Sequence, residues 1–368
     1  MEPEPVRKIL IVKTSALGDI IHVLPSLEAL RRLFPSAEIH WITERAAAGL
    51  LEAHPDVARV TVIPRQQWKK DLRKPSRWTS ILSEALSLSR ALRRERFDLV
   101  IDFHCGLRSS AIVFMAGGRV RVGFHPRDAA EAGGTVFTRI HPPPLPHRLS
   151  KVEKNLALVR ALGFRGPCPP GRLVLPGEDR AWARELMESL PGAGPSIAIH
   201  PAVSRFGEIK RWPTEKYRSL VDLLREKHDA RVLITWGPGE RPIAESIARP
   251  TLLPAEVSIR RFAAILEAAD LVIAADTGAL PLATILGTPA VGIFGPKDPI
   301  VYGPYPARAE IVRSPAPCSP CRLRVCEHAI CMELVQPAEV LLAAERALER
   351  GHGGTAGAAA SCMERSGP

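Results

Sequence analysis

The chain has 368 residues, of which 46% are hydrophobic and 24% are charged, and its formal net charge is +11. This composition excludes a disordered or fibrous chain, and the length suffices for two domains that each bury a core. Because the chain is strongly basic, opens without a secretory signal and has no apolar run of membrane-spanning length, we expect a soluble or peripherally bound protein with an anionic partner.

The first predicted strand, residues 9–12, consists of four aliphatic residues, which is typical of a strand buried on both faces. A polar turn at residues 13–19 follows, and helical spacing of apolar residues predicts a helix over residues 20–33 with Pro25 near its first turn. The turn therefore lies at the carboxyl end of a strand, where open α/β sheets bind ligands. Its Asp19 either caps or begins the helix, or it is a general base that faces a cleft.

Strands and helices alternate through the rest of the first half. We predict strands at residues 37–42, 57–63 and 99–102, with an amphipathic helix at residues 80–94 before the last of them. This βαβ order predicts a parallel, doubly wound sheet with right-handed crossovers.

Two predicted loops of the first half carry charge. Residues 65–77 are interpreted as a basic, aromatic loop, whose tryptophans are costly to leave in water without a partner. Residues 104–110 follow the strand at residues 99–102, and we expect them to place Arg108 and Ser109 at the same sheet edge as Asp19.

A segment rich in proline and glycine at residues 164–177 has the composition of a linker. We place the domain boundary there, with one domain at residues 1–172 and a second at residues 173–350. Residues 351–368 are rich in Gly, Ala and Ser and are expected to form a mobile tail.

The second half repeats the alternation of strands and helices. We predict strands at residues 196–200, 231–234, 271–274 and 290–294, the last clear strand, and helices at residues 214–227, 242–248, 259–268 and 280–286. The chain is therefore expected to be an α/β protein made of two Rossmann-like halves.

Three polar groups follow strands of this second half. Asp276-Thr277-Gly278 stands at a strand-to-helix junction, where it forms a cradle for a diphosphate or simply caps the helix. Lys210 is either a partner of a leaving diphosphate or the tip of a basic loop. Glu240 either accepts a hydrogen bond from a ribose hydroxyl or belongs to an ordinary glycine-rich turn. Together the three groups indicate a nucleotide site.

These motifs occur together in a known family. The chain reads V-K-T-S-A-L-G-D in its first turn, then H-P before K-R-W-P, W-G-P-G-E, A-D-T-G and G-I-F-G-P-K-D-P. In this order, over residues 8–344, it resembles the ADP-heptose:lipopolysaccharide heptosyltransferases, and its first motif is closest to that of heptosyltransferase I. The resemblance implies the GT-B architecture, in which two Rossmann-like domains face each other across a cleft. It also implies inverting transfer without a metal or other cofactor, and the sequence has no Asp-x-Asp motif for a divalent ion.

The resemblance assigns roles to matching residues, and Asp19 corresponds to the catalytic base. The residues expected to bind the donor are Thr14, Ser15, Lys210, Glu240, Asp276, Thr277 and Gly278. The residues expected to bind the acceptor are Lys13, Lys69, Lys70 and Arg108. The implied donor is ADP-heptose, and the implied acceptor is of the Kdo-lipid A type, at the anionic cytoplasmic face of the inner membrane. We expect no nucleic-acid partner, because no helix-turn-helix or RNP-like pattern accompanies the positive charge.

One position departs from the family pattern. Members commonly have a histidine where this chain has Pro281. A proline fits the first turn of a helix, but one polar contact to the nucleotide sugar is lost. Two alternatives therefore stay open: a transferase for a different nucleotide sugar, and a non-catalytic module that binds a sugar nucleotide or lipopolysaccharide.

Four cysteines lie close together near the end of the chain, at Cys318, Cys321, Cys326 and Cys331. The first pair has the spacing of zinc ligands, whereas the remaining spacing is atypical. No catalytic metal is expected, and a structural zinc site is weighed here against reduced thiols or a disulfide.

Overall fold

The structure, a computed structural model, describes residues 5–201, 205–247, 253, 255–305, 309–321, 323, 325–328 and 330–353. Within these ranges the strands form two sheets of five strands each, and the paired strands run parallel. Helices connect successive strands in both sheets. The predicted α/β class with two Rossmann-like halves is therefore confirmed.

The first sheet is built from residues in the first third of the chain. Its strands are β1 (Lys8–Val12), β2 (Glu38–Thr43), β3 (Arg59–Val62), β4 (Leu99–Asp102) and β5 (Val120–Gly123), in the order β3-β2-β1-β4-β5. The helices of this half are α1 (Leu17–Ile21), α2 (Leu24–Leu33), α3 (Arg45–Glu52), α4 (Arg65–Asp71), α5 (Trp78–Arg94), α6 (Leu107–Ala116) and α7 (Lys151–Ala161), with short 3₁₀ turns at Pro75–Arg77 and Pro126–Asp128. The central strand β1 is fully buried from Ile9 to Val12, as its aliphatic run predicts.

The second sheet is built from the second half of the chain. Its strands are β6 (Ser196–His200), β7 (Arg231–Ile234), β8 (Leu271–Ala275), β9 (Ala290–Phe294) and β10 (Ala309–Arg313), in the order β10-β9-β8-β6-β7. The helices are α8 (Gly177–Glu188), α9 (Thr214–His228), α10 (Arg241–Glu245), α11 (Ile259–Ala268), α12 (Ala279–Leu286), α13 (Pro299–Tyr302), α14 (Ile330–Glu333) and α15 (Pro337–Gly353), with a 3₁₀ turn at Arg205–Lys210.

Two segments differ from the sequence-based predictions. The single helix predicted over residues 20–33 is wrong, because the chain turns at His22 and Val23 between α1 and α2. Pro25 lies in the first turn of α2. Because proline has no backbone N–H and its ring clashes with the preceding turn of a helix, α1 cannot continue through this residue. Residues 65–77 are not a loop but contain α4 and a 3₁₀ turn. Arg, Gln and Lys are good helix formers, which explains the difference.

Further elements escaped prediction. The loop predicted at residues 104–110 ends at residue 106, so that Arg108 lies in the first turn of α6. The edge strands β5 and β10 were also missed, and β10 follows the strand that was expected to be the last. Both are short strands with only partly buried patterns, which weakens the periodic signal on which a prediction rests.

The strand orders place the predicted motifs where ligands bind. The order reverses between β1 and β4 in the first sheet and between β6 and β8 in the second. In open α/β sheets, ligands bind outside the carboxyl ends of the strands at such points. Residues 13–19 follow β1, and residues 276–278 follow β8. Each half therefore presents one of its sequence motifs at its own expected binding edge.

The side chain of Trp41 on β2 fixes the start of the turn after β1. Its ring is fully buried, and its Nε1 donates a hydrogen bond to the Lys13 carbonyl oxygen at 3.1 Å. The Lys13 N–H in turn donates to the Ile42 carbonyl oxygen at 3.3 Å. Both the backbone N–H and the carbonyl oxygen of Lys13 are therefore hydrogen-bonded to β2, which fixes the first residue of the polar turn.

Residues 162–176 join α7 to α8 without helix or strand, and we keep the domain boundary after residue 172 as a proposal. Helix α15 extends to Gly353, and the remainder of the expected tail, residues 354–368, lies outside the described residues. Within the described ranges, every helix falls short of the length and apolar character that a bilayer-crossing segment needs.

We predict that Trp41→Phe lowers the free energy of unfolding by about 1–3 kcal/mol, because it leaves the buried Lys13 carbonyl oxygen without its indole donor. Denaturant unfolding followed by circular dichroism measures the change. Trp78→Phe is the matched control, since the Trp78 side chain is 57% exposed and should change stability by less than about 0.5 kcal/mol. Equal effects of the two substitutions would contradict the anchoring role of Trp41.

Candidate active site

The turn after β1 is held in place by contacts from three neighbouring segments. Lys13 is buried, and its Nζ donates to the Phe103 carbonyl oxygen at 3.1 Å. The Thr14 carbonyl oxygen accepts from the Glu44 N–H at 3.1 Å. Ser15 Oγ accepts from the Arg65 guanidinium at 3.2 Å. The backbone and side chains of the turn are therefore fixed around the segment that leads into α1.

Asp19 lies in the first turn of α1 and is not the residue that caps it. The capping position is Ala16, which makes no side-chain cap hydrogen bond. The Asp19 carboxylate points instead toward α7, where Lys151 Nζ lies 3.3 Å from its Oδ1, and its side chain is 34% exposed. The helix dipole favours a carboxylate in this turn, which accounts for the position of Asp19, and its partly exposed side chain stays accessible from the solvent.

The charges around Asp19 keep it ionised. Burial alone would raise the pKa of Asp19, but the nearby cations Lys13 and Lys151 outweigh it and lower the pKa to about 2. Burial lowers the pKa of Lys13, and Asp19 partly opposes that shift. Asp19 is therefore a carboxylate at neutral pH, stabilised by cations on two sides.

His22 is a neighbour of Asp19 that sequence reasoning missed. It follows α1 three residues after Asp19, and the described residues offer no hydrogen-bond partner to either of its ring nitrogens, both of which are buried. Burial lowers the pKa of His22 to about 4, against an opposing effect of Asp19. The imidazole is thus neutral at pH 7. The spacing of three residues within one helical segment was the available signal.

The turn after β4 contributes a second carboxylate to this edge of the sheet. Asp102 is fully buried, and its Oδ1 accepts from the backbone N–H groups of His104 and Cys105, each at 2.9 Å. Burial raises the pKa of Asp102 to about 6, although these hydrogen bonds oppose the shift. Its role is to shape the turn that delivers the Phe103 carbonyl oxygen to Lys13.

Two residues expected to bind the acceptor have exposed side chains, and the side chain of a third lies outside the described part of the structure. Arg108 is an exposed residue in the first turn of α6. Lys70 is an exposed residue of α4. Lys69 belongs to α4, but its side chain lies outside the described part of the structure. The charge of Lys13 lowers the pKa of Asp19, and the acceptor roles of the other three residues stay predictions.

The turn after β8 brings the expected donor-binding residues together. Lys210 Nζ lies 2.6 Å from Asp276 Oδ2 and also donates to the Asp276 carbonyl oxygen at 3.3 Å. Thr277 Oγ1 is buried, and within the described residues it has no hydrogen-bond partner. Gly278 occupies the N-terminal capping position of α12. A hydroxyl without a partner, an ammonium group and a helix N-terminus converge here, which suits an anionic group.

Glu240 lies at the start of α10, on the loop after β7. Its Oε2 accepts a hydrogen bond from the Gly237 N–H at 2.8 Å. Burial raises the pKa of Glu240, and the Gly237 hydrogen bond and Arg211 oppose the shift. Glu240 Oε2 therefore stabilises the glycine-rich turn. The position of Glu240 fits both interpretations, as a structural part of that turn and as an acceptor for a ribose hydroxyl.

The two turns meet directly. A Cβ added to Gly278 would lie 3.2 Å from the Gly18 nitrogen and 3.1 Å from Leu17 Cδ2. A Cβ on Gly18 would lie 3.4 Å from the Gly278 Cα and 3.6 Å from Pro281 Cγ. A side chain at residue 278 would therefore need the facing turn to move by a few tenths of an ångström, and glycine favours the close approach. Helix α1 packs on α12 as a result, and Asp19 from the first half lies beside the donor turn of the second.

A large cavity opens between the two halves beside Asp19. Its volume is about 1060 Å³, and Lys151, the partner of Asp19, is part of its lining. Its cationic lining residues are Arg127, Arg148, Lys151, Lys154, Lys297 and Arg313. Arg148 Nε pairs with Asp298 Oδ2 at 2.6 Å, and Lys151 lies over the Tyr302 ring at 5.4 Å. Both contacts join the first half to the second across the cavity.

Among the four cysteines near the end of the chain, Cys318, Cys321 and Cys331 are free thiols. Burial raises the pKa of Cys331, and the other three cysteines add to the increase, so they lie near it. Among the described residues, no group of three or more His, Cys, Asp or Glu side chains is arranged to hold a metal ion. A disulfide among Cys318, Cys321 and Cys331 is therefore wrong. The described residues also lend no support to the alternative of a structural zinc site.

Comparison with known proteins gives a consistent result. Residues 85–330 match the family model for glycosyltransferase family 9 (heptosyltransferase). Lipopolysaccharide heptosyltransferase 1 of Escherichia coli (strain K12) is 30% identical over 318 residues, which cover 84% of this chain and 94% of the relative. Lipopolysaccharide heptosyltransferase 1 of Pseudomonas aeruginosa is 29% identical over 330 residues, which cover 87% of this chain and 88% of the relative.

Solved structures agree with the sequence relatives. The structure of E. coli heptosyltransferase WaaC with ADP has a TM-score of 0.73 and 27% identity to this chain, covering 92% of this chain and 99% of its own. E. coli ADP-heptose lps heptosyltransferase II has a TM-score of 0.73 at 19% identity, covering 94% of this chain and 99% of its own, and supports the fold. The chain therefore belongs to glycosyltransferase family 9, the heptosyltransferases, and its two sheets form the GT-B fold of a glycosyltransferase.

Proposed function

We propose that this protein moves heptose from ADP-heptose to the Kdo and inner-core region of lipopolysaccharide, inverting the anomeric centre and using no metal ion. The contact between Gly18 and Gly278 carries the proposal, because it brings Asp19 of one half to the donor turn of the other. The names of two solved relatives, complexes with ADP and with ADP-2-deoxy-2-fluoro heptose, support this class of donor.

In the proposal, the donor diphosphate binds at the turn after β8. The Thr277 hydroxyl, which lacks a partner among the described residues, donates to a phosphate oxygen. The first N–H groups of α12 add the positive end of a helix dipole. Lys210, held by Asp276 at 2.6 Å, neutralises charge on the diphosphate as it leaves. Thr14 and Ser15 face the same donor from the first half, and Glu240 accepts from its ribose.

The transfer step uses Asp19 as the base. The acceptor hydroxyl oxygen attacks the anomeric carbon of the heptose while the bond from that carbon to the ADP oxygen breaks. The hydroxyl proton passes to the Asp19 carboxylate, and ADP leaves with the electron pair of the broken bond. Attack opposite the leaving group inverts the anomeric centre.

A pKa of about 2 makes Asp19 a weak base. The proton therefore moves late, after the attacking oxygen has acquired positive charge by bonding to carbon. Lys151 holds the carboxylate in place before the reaction, and the neutral His22 adds no competing charge at pH 7.

The cavity of about 1060 Å³ is the proposed acceptor site. Its Arg127, Arg148, Lys154 and Arg313 side chains are suited to carboxylates and phosphates of a Kdo-lipid A type acceptor. Lys13, Lys69, Lys70 and Arg108 remain proposed acceptor contacts of the first half. Because this acceptor is anchored in lipid, we place the reaction at the anionic cytoplasmic face of the inner membrane, which attracts a chain of net charge +11.

A second nucleotide sugar is the alternative donor, and Pro281 favours it. Pro281 is buried in the first turn of α12 and faces Gly18 at the junction of the two halves. It offers no polar group to a sugar at the position where family members commonly have histidine. A screen of ADP-, UDP- and GDP-linked sugars for nucleotide release distinguishes the two donors.

We predict that Asp19→Asn lowers kcat by about 10²–10⁴-fold, because an amide cannot accept the hydroxyl proton. The measurement is ADP release from ADP-heptose with a deacylated, water-soluble Kdo acceptor. Asp222→Asn, at an exposed position on α9, is the control and should keep full activity. An Asp19→Asn enzyme within a factor of ten of the parent would rule Asp19 out as the base.

The low pKa of Asp19 predicts a flat pH profile on the acid side. The carboxylate stays ionised until the pH falls toward about 2, so kcat/KM should not fall between pH 7 and pH 5 through this group. Lys151→Met removes one cation that lowers the pKa, and the acid limb should move up by about one unit. The parallel profile of Lys227→Met, an exposed lysine of α9, should match the parent. An unmoved limb in Lys151→Met would contradict the assignment.

The acceptor cavity can be tested separately from the base. We predict that Arg127→Gln raises the KM of the deacylated acceptor about tenfold, the effect of losing one charge-assisted hydrogen bond, and leaves the KM of ADP-heptose unchanged. Arg184→Gln, at an exposed position on α8, is the matched control. A rise in donor KM instead would assign the cavity to the donor.

A further inference from the structure

Helix α5 is amphipathic yet buries little of itself. It has 17 residues, and Leu92 is the residue of this helix that is fully buried. Leu88 packs with Leu92 against the core of the first sheet. A second apolar stripe lies on the outside, where Trp78 is 57%, Leu82 61% and Leu86 46% exposed. These three residues are four apart, so they form one continuous ridge along the helix.

The ridge continues onto the segment before α5. Leu72 is 58% exposed, and its carbonyl oxygen accepts a hydrogen bond from the Trp78 indole at 3.0 Å. The indole is thereby fixed beside Leu72 instead of rotating freely. Leu72, Trp78, Leu82 and Leu86 together form what we call the α5 ridge. A cluster of exposed large apolar side chains of this kind is unusual on a protein surface that faces only water.

Positive charge borders the α5 ridge at its N-terminal end. Lys70, Arg73, Lys74 and Arg77 are all exposed and lie within eight consecutive residues. The acid in this stretch, Asp71, is buried and pairs with Arg77 at 3.7 Å. Within α5 the single acid is Glu84, which accepts from the Trp68 indole at 2.7 Å. The surface around the ridge therefore presents an excess of cations.

We propose that the α5 ridge and its basic border dock this protein on an anionic lipid bilayer, with Trp78, Leu82 and Leu86 inserted among the headgroups. A tryptophan and leucines beside a row of cations match the two components of a bilayer surface, apolar chains and negative headgroups. A protein partner would need a complementary acidic rim around an apolar groove. A bilayer surface offers apolar chains and negative headgroups without needing a matching groove. Charge complementarity therefore favours a bilayer over a protein partner.

The position of the ridge relative to the active site supports this orientation. Helix α4 begins at Arg65 and carries Lys70, the first residue of the basic border, near its end. Arg65 donates to Ser15 Oγ in the turn after β1. Seven helical residues span only about 10 Å, so docking holds the turn that leads to Asp19 near the lipid surface. The bilayer is then the membrane partner of the active site, and in that respect the docking rests on the proposed function. Binding to the bilayer itself requires no reaction.

Sedimentation of the full chain with vesicles tests the proposal. Binding is measured to vesicles of phosphatidylethanolamine and phosphatidylglycerol, and to vesicles of phosphatidylcholine alone, at low and high salt. We expect binding to the anionic vesicles that weakens with salt. Leu82→Ser with Leu86→Ser should reduce it at least about tenfold, because two leucines no longer insert. The control is Leu342→Ser on α15, where the leucine is 55% exposed, and it should bind as the parent does.

Three outcomes would overturn the proposal: no binding of the parent to anionic vesicles, equal binding of the double variant, or a double variant that changes only self-association in light scattering. Transfer to a deacylated, water-soluble acceptor is measured alongside and should be unchanged in the double variant. Absence of that transfer in the parent would contradict the proposed function alone, since vesicle binding is read without substrates.

Discussion

The close approach of two backbone turns determines what the rest of the structure can do. Gly18 and Gly278 lack side chains at the point where α1 meets α12, and any Cβ on Gly278 would press into Leu17 and the Gly18 nitrogen. The two sheets can therefore approach until the carboxyl end of β1 lies beside that of β8. Asp19 from one half and the turn at residues 276–278 from the other then lie at one junction, at the carboxyl ends of the two central strands, where open α/β sheets bind ligands.

Electrostatics at this junction separates the roles of its charged groups. Lys13 and Lys151 keep Asp19 ionised, whereas burial keeps His22 neutral. Lys210, the proposed partner of the diphosphate, lies against Asp276 in the second half, so a carboxylate also holds this cation. In the proposed function, this separation keeps the base Asp19 and the phosphate partner Lys210 from neutralising each other directly.

Local sequence patterns predicted much of the fold because most of its strands are aliphatic and buried. The run Ile9 to Val12 and the strand β8 both become central strands. The same patterns failed where one residue overrode them, as at Pro25, where the predicted helix divides. They also failed at α4, whose charged residues were interpreted as a loop although they favour helix.

The site was predictable only in part, for a physical reason. Asp19 and the residues 276–278 stand at strand ends, which a sequence pattern reveals. Lys151 is 132 residues from its partner Asp19, and the cavity takes its charge from both halves. Such contacts depend on how the two sheets pack, which no local pattern encodes. Arg108 shows the converse, because a position near the right strand end still left its side chain on an exposed helical turn.

A crystal structure with an unreactive analogue of ADP-heptose is the most direct test of the junction. The account predicts the diphosphate at Thr277 and Lys210, with the anomeric carbon within about 6 Å of the Asp19 carboxylate, since the acceptor oxygen must lie about 3 Å from each. A donor bound with its anomeric carbon directed away from Asp19, or with its phosphates outside the turn after β8, would contradict the account.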